Sequence, residues 1–509
     1  MHSTSPVWDD PPAADRFRSP LPKTCDVCVL GAGIAGLSVA YELARSGKKV
    51  VVLDARSVGA GMTSCTSGHL SSVIDDRFSS LLKARGQEVA RIGYQAHAAA
   101  IDAVEQTARR ENIACGFTRI DGYLMAAPGD EGTLSAEADA CRELGVPFTE
   151  QPNPQLPGFT GGRCLRFPNQ ARFEPVAYLA GLADAVVRHG GVIVSDTRAA
   201  EVTDGEPCVV KTEGGAELTA GAVVVATNSP VNDRFRLHTK LFPYMTYVIG
   251  LTVPAGRFPD ALIWDTPDPY HYVRPAGKPR PDGADTLTVG GEDHKTGQAH
   301  DSDDRFARLE AWARQHFPAV GEVTHRWAGQ VMETIDGLGY IGRNPGDRHV
   351  FVATGDSGMG LTHGTIAGLL LPALIRGEEH PWKAAFRPGR SPAYGLSDFA
   401  QENANVALQY AGWLTPGEVA SVGEIRPGSG AVVRVGLTKV AVYRDDKGDY
   451  HGCRAVCPHL GALVTWNDAE QTWDCPAHGS RFKCTGEVMQ GPANSNLTPV
   501  EIGQTAGSA

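Results

Sequence analysis

The stretch from Asp26 to Asp54 limits the fold more than any other part of the chain. It opens with an apolar run, Val27 to Leu30, short enough for a buried parallel strand. Gly31, Gly33 and Gly36 follow at G-x-G-x-x-G spacing, then the helix-like run Leu37 to Ser46, a stop at Gly47, and a second apolar run, Lys49 to Leu53, ending in Asp54. Gly31 permits the tight turn, Gly33 lets the backbone approach a pyrophosphate, and Gly36 lets helix pack on strand. The phosphates would sit on the unsatisfied N–H groups of the helix N-terminus. Asp54, 18 residues beyond Gly36, is placed to hydrogen-bond a ribose. Glycine spacing alone is weak evidence, but strand, helix, strand and acid in register define a dinucleotide-binding βαβ unit. Its expected contacts are Gly31, Ala32, Gly33, Ile34, Ala35 and Gly36, followed by Asp54, Ala55 and Arg56.

A chain of 509 residues has room for about two to four domains. The 47 basic and 58 acidic residues give a net charge of -11 with no basic cluster, which argues against nucleic acid and anionic membrane as partners. No apolar run reaches the roughly 18–20 residues of a membrane span. Residues 1–22 are polar and proline-rich and read as a flexible tail rather than a signal peptide. Eleven scattered cysteines do not form a secreted disulfide framework, so a cytoplasmic location is expected.

The loop Arg56 to His69 repeats glycines and hydroxyls. It suits a path along a dinucleotide towards its redox ring, with Gly61, Met62, Thr63, Gly68 and His69 as contacts; an ordinary turn-rich loop is the plainer alternative. Cys25-x-x-Cys28 resembles a redox motif, but Cys28 lies in the first strand and reads as a small buried hydrophobe. Leu81 to Glu111 has helical periodicity, and Pro175 suits the first turn of another helix. Ala222 to Thr227 is strongly β-branched, and a strand ending there sets the small residues Ala226 and Thr227 beside a cofactor. Tyr244–Val253, Tyr270–Arg274 and Thr286–Gly291 alternate like strands of an antiparallel sheet, and Asp304 to His316 is helical. The strand Val350 to Thr354 leads into Gly355-Asp-Ser-Gly-Met-Gly360. A helix starting near Leu361 would aim its positive end at the cofactor, adding Gly355, Gly358, Met359, Gly360, Leu361 and Thr362 to the expected contacts.

These marks, with Ile335-Asp-Gly-Leu-Gly-Tyr-Ile-Gly342, give residues 24 to about 385 a resemblance to the glycine oxidase/D-amino-acid oxidase-like (DAO) family. The resemblance implies FAD rather than NAD, and a mixed-sheet substrate lobe over the flavin. It also implies oxidation of a C–N bond in amino acids or N-methylated amines. Met359 stands where covalent-flavin relatives carry a cysteine, so FAD attached at that position is excluded.

From Gly417 onward short strands alternate with turns. Inside lie Cys457-Pro-His-Leu-Gly461 and, separated from His459 by fifteen residues, Cys475-Pro-Ala-His-Gly-Ser480. This interleaved order, with Cys457, His459, Cys475 and His478 as ligands, is the Rieske [2Fe–2S] pattern, whose imidazoles raise the potential to about -150 to +300 mV. Two Cys and two His could also hold zinc, but zinc ligands usually come as separate C-x-x-C and H-x-x-x-H pairs. The similarity to Rieske domains covers about 420–505. Respiratory Rieske proteins staple their loops with a disulfide, and Ala462 and Ala477 occupy the corresponding positions here, nearer the ferredoxin-type domains. Cys453 and Cys484 are expected as free thiols, and Ser480 could hydrogen-bond a cluster sulfur.

The expected architecture is α/β. A Rossmann-type FAD-binding domain (about 23–112, 163–235, 325–385) is interleaved with a mixed-sheet substrate lobe (about 113–162, 236–324) within 23–390. A helical linker (391–418) and an all-β Rieske domain (419–509) follow. His69 could accept a proton from an ammonium substrate; a structural or flavin-contacting histidine is the plainer reading. Tyr270, Tyr272 and Arg274 share one face at period two, either an aromatic wall for an alkylated ammonium with an arginine for a carboxylate, or a packed sheet face with a surface arginine. Glu292, Asp293 and His294 follow an apparent strand and could be a hairpin's solvated end. The expected reaction is amine or amino-acid oxidation, with electrons leaving through the cluster to an external one-electron carrier protein or quinone-type acceptor. Inward electron flow that reduces substrate or activates oxygen, and a non-catalytic relay or redox sensor, are the alternatives.

Overall fold

The protein is described from a computed structural model covering residues 5–8, 10–232, 237–258, 260–277, 280, 282–391, 395–436 and 438–502. The expected tail, linker and Rieske ranges therefore reach residues 1–4, 9, 392–394, 437 and 503–509, outside those described. Two large sheets carry the flavoprotein part. In the first, the strands run in the order Tyr340–Arg343, Val350–Thr354, Glu217–Val225, Thr24–Leu30, Val50–Leu53 and Val192–Val194. All of these neighbours pair in parallel except Tyr340–Arg343, which runs antiparallel at the edge. Val27 to Leu30 and Val50 to Leu53 are buried along their whole length, because a parallel sheet is covered on both faces. The glycine-loop helix Ile34–Arg45 packs closely on Gly360–Ile375; a Cβ at Gly364 or Gly368 would collide with the backbone of Ala35 or Ser38.

The second sheet is mixed. Its order is Val323–Thr334, Leu241–Val253, Asp285–Lys295, His271–Pro275, Ala261–Asp265, Thr118–Met125, Cys164–Arg172 and His69–Leu70. Ala261–Asp265 runs parallel to Thr118–Met125 and the other neighbours are antiparallel. Helix Ser302–His316 buries Phe306 and Leu309 against it, with Phe317 just beyond the helix end in the same core.

Three expectations need correction. The strands Cys164–Arg172 and Val323–Thr334 belong to this sheet rather than to the FAD part, because their hydrogen-bond partners are Thr118–Met125 and Leu241–Val253. Glu292, Asp293 and His294 lie inside the strand Asp285–Lys295 rather than at a solvated end. Glu292 is buried against Arg308, and the His294 ring nitrogen meets the Tyr247 hydroxyl. The stretch before residue 22 is anchored: Phe17 is buried, and Trp8 donates its indole N–H to the Thr66 carbonyl at 2.8 Å.

Helix Leu396–Gln409 leads to the Rieske module. That module packs two four-stranded sheets, Ser429–Val435 with Thr438–Arg444, Tyr450–Arg454 and Pro499–Val500, and Thr465–Asn467 with Thr472–Asp474, Arg481–Lys483 and Val488–Gln490. Trp473 and Phe482 fill its core. All eleven cysteines are free, including Cys453 and Cys484. No helix among the described residues is long and apolar enough to cross a membrane.

Candidate active site and cofactor sites

The glycine loop, the Ala226–Asn228 turn and the start of helix Gly360–Ile375 form one cleft, with about 2050 Å³ of free space counted to its mouth. Of the expected dinucleotide contacts, all but Ala32, Gly36, Gly68 and Thr362 line it. These four stand behind the wall. Gly36 is pressed on the Gly31 carbonyl, where a Cβ would collide, and Thr362 meets the buried His97 ring at 2.7 Å. Asp54 lines the cleft and also shapes the loop, accepting the Ala32 N–H at 2.7 Å and the Arg56 N–H at 2.8 Å. The bare backbone at Gly31 and Gly33, the open helix start at Gly360 and the acid at Asp54 fit the pyrophosphate and ribose of FAD.

The far end of the cleft lies over the second sheet. Tyr270, Tyr272, Trp264, Thr246 and His69 line it together with Asp75 and Asp356. Tyr270 donates its hydroxyl to Asp75 at 2.8 Å, and Tyr272 pairs with the Thr246 hydroxyl at 3.0 Å. Burial raises both acids to about 6, against the pull of the Tyr270 hydroxyl on Asp75 and of the Met332 N–H on Asp356.

The two remaining predicted catalytic residues do not fill their expected roles. Arg274 is fully buried behind the wall and does not line the cleft. Its guanidinium donates to the carbonyls of Gly68 (2.5 Å), Phe173 (3.2 Å), Pro275 (2.8 Å) and Ala276 (2.9 Å), which leaves it no approach to a substrate carboxylate. His69 does line the cleft, edge-on to Tyr272 at 5.5 Å. Burial, and then the Arg274 charge, lower its pKa to about 3, so it stays a neutral imidazole and a poor proton acceptor. Sequence reasoning missed Asp75 and Asp356, although Asp356 stands inside the glycine loop already singled out. It also missed His363, whose two ring nitrogens are buried without hydrogen-bond partners on the cleft wall.

The motif around Asp336 is structural. Asp336 accepts from Arg390 at 2.8 and 2.7 Å and pairs with Arg85. Burial alone would raise its pKa, but the two guanidiniums hold it below the usual carboxylate range.

In the Rieske module, Cys457, His459, Cys475 and His478 come together. The two imidazoles lie 5.0 Å apart and perpendicular. The neighbouring Cys475 thiol lowers Cys457 to about 7. The N–H groups of His459 and Leu460 and the Ser480 hydroxyl add to that pull. Burial lowers His478 to about 4, keeping it the neutral ligand form. Among the described residues no three ligating side chains converge on one point as a single zinc ion requires. Two thiols and two imidazoles held as separate pairs fit a two-iron cluster. Met489, Gln490, Gly491 and Asn494 of this module line the same cleft as the glycine loop, a closure with no signal in the sequence.

The sequence matches the family model for FAD dependent oxidoreductases (DAO) over residues 26–374 and that for the Rieske [2Fe-2S] domain over 415–501. It is 30% identical to the Rieske 2Fe-2S iron-sulfur protein YhfW of Bacillus subtilis (strain 168), covering 94% of each chain. It is 26% identical to the gamma-glutamylputrescine oxidoreductase of Escherichia coli (strain K12), over 71% of this chain and 86% of that one. Among solved structures, glycine oxidase from Geobacillus kaustophilus superposes with a TM-score of 0.61 at 21% identity, over 73% of this chain and all of that one.

Proposed function

Because the chain belongs to the DAO family of FAD-dependent oxidoreductases and carries a Rieske [2Fe-2S] domain, we propose that it oxidises a C–N bond of an amine. The electrons would leave singly, by way of the Rieske domain, to an external carrier. When bound, FAD supplies a hydride acceptor and the cluster a one-electron carrier. The observation that carries the reading is the far wall of the cleft, where Tyr270, Tyr272 and Trp264 stand beside the carboxyls of Asp75 and Asp356. Aromatic faces and carboxylates favour a cationic nitrogen. Asp75, with a pKa near 6, can pair with an ammonium or take its proton near neutral pH. With Arg274 occupied by backbone carbonyls, an alkylated or primary amine suits the wall better than an amino acid. The relative that acts on gamma-glutamylputrescine supports an amine.

An outgoing carrier would approach Cys457–Gly461, where Pro458 is exposed, because residues 472–480 are buried throughout. The free thiols support a reducing compartment such as the cytoplasm. The test is anaerobic mixing of the holoprotein with primary amines, N-methylated amines and amino acids, following the flavin absorbance. Amines should bleach it. If neither amines nor amino acids bleach it while dithionite does, the reading fails.

A further inference from the structure

Gln330 reaches from the wall of the flavin cleft into a cluster-ligand loop. It lies on the strand Val323–Thr334, is only 3% exposed, and forms part of the cleft wall. Its backbone N–H points at the sulfur of Met62, another cleft residue, at 3.1 Å. Its side-chain amide turns the other way. Nε2 donates to the Gly479 carbonyl at 2.8 Å and to the Thr296 hydroxyl at 3.2 Å, and Oε1 accepts from Gln490 Nε2 at 2.5 Å. Gly479 sits between the ligand His478 and Ser480, and Gln490 itself lines the cleft. A Cβ on Gly479 would collide with Pro243. One hydrogen and the oxygen of the Gln330 amide are thus spent on the Rieske module and the other hydrogen on Thr296 of the flavoprotein part, in a buried setting where an unmet partner is costly.

We propose that Gln330 is a positioning residue: it clamps the Cys475–Ser480 loop and Gln490 onto the flavin cleft, so that the Rieske module stays docked in one pose as a wall of that cleft. Further cross-contacts include Gln298 to the Pro476 carbonyl (3.0 Å), Thr465 to the Gly297 carbonyl (2.9 Å), Asn494 to the Ala200 carbonyl (3.0 Å), Arg198 to the Val488 carbonyl (3.0 Å) and the Ala328 N–H to Glu470 (3.2 Å). The inference holds for either direction of electron flow.

The test compares full-length holoprotein with Gln330→Met and Gln490→Met. A light flash on 5-deazariboflavin, with EDTA as the sacrificial donor that is oxidised, delivers single electrons to either centre under anaerobic conditions. Internal transfer is the phase, independent of protein and donor concentration, in which the flavin is reoxidised as the cluster is reduced. Each electron that then reaches the cluster converts one Fe(III) to Fe(II) and is read from the Rieske EPR signal. Gln330→Met should slow this internal transfer about tenfold. The cluster potential should be unchanged, and hydrogen exchange should rise in peptides covering 475–480 and 488–494. Gln490→Met, which removes only the Oε1 partner, should shift both readouts in the same direction by less, and it decides the matter if Gln330→Met does not fold. Wild-type transfer and exchange in the folded variants would overturn the proposal. So would a slower transfer that merely follows a changed cluster potential, since Gln330 would then tune the cluster rather than position it.

Discussion

The two cluster-ligand loops, Cys457–Ala462 and Cys475–Ser480, share one backbone and differ in their surroundings, although His459 of the first also packs on His238 of the flavoprotein part at 4.8 Å. In each the first cysteine N–H meets the carbonyl of the sixth residue at 2.8 Å, and the glycine N–H meets the cysteine carbonyl at 3.0 Å. Both glycines, Gly461 and Gly479, take φ of +79°, a left-handed conformation that favours glycine. Around Gly461 there is open space, whereas Gly479 is pressed against Pro243 and Gln330. Pro458 is exposed, whereas Pro476 is buried and its carbonyl is bonded to Gln298. Ligand spacing therefore defines the cluster, while the surface each loop meets gives the module an inner and an outer face.

The largest effect should ignore that difference. Cys457→Ser and Cys475→Ser should each abolish the Rieske EPR signal while the flavin absorbance stays, since each iron needs both its ligands. If one variant kept the signal, the loops would not be equivalent as ligand carriers. Arg481→Ala should separate them. It leaves Asp474, directly before the inner loop, buried without the guanidinium 3.0 Å away. A loss of about 3–5 kcal/mol is expected, read as a lower temperature of cluster bleaching. Next come the glycines. Gly461→Ala should cost about 1–2 kcal/mol for its backbone alone, and Gly479→Ala about 1–3 kcal/mol more for the collision with Pro243. Equal melting temperatures for the two would remove the inner–outer distinction.

The smallest effect concerns the cleft behind the inner loop. Burial raises Asp75 to about 6, so its charge is present above that pH and lost below it. Flavin bleaching by an amine at subsaturating concentration should therefore slow as pH falls through about 6. Asp75→Asn should flatten that limb and leave the cluster EPR signal as it was. An unchanged limb in this variant would remove Asp75 from the amine site.

The parts of this molecule that chemistry ties to short spacing were legible in the sequence. Gly31, Gly33 and Gly36 shape a tight turn and a helix contact within six residues, and Cys457, His459, Cys475 and His478 lie on two compact loops. What depended on distant packing was not. Arg274 has the right type and period for a carboxylate ligand, yet Gly68 and Phe173, remote in sequence, supply carbonyls that claim it. The strand Val323–Thr334 joins the substrate sheet because its partner is Leu241–Val253, a pairing that its own alternation could not name. Gln330 carries no local signal, since its partners Gly479 and Gln490 lie about 150 residues away.

The most direct test of the whole account follows flavin absorbance and the Rieske EPR signal in one anaerobic sample mixed with an amine that bleaches the flavin. The account predicts that bleaching comes first and the cluster signal grows afterwards, with no other donor present. A bleached flavin beside a cluster that stays oxidised, or a cluster signal that appears only when an external reductant is supplied, would contradict it.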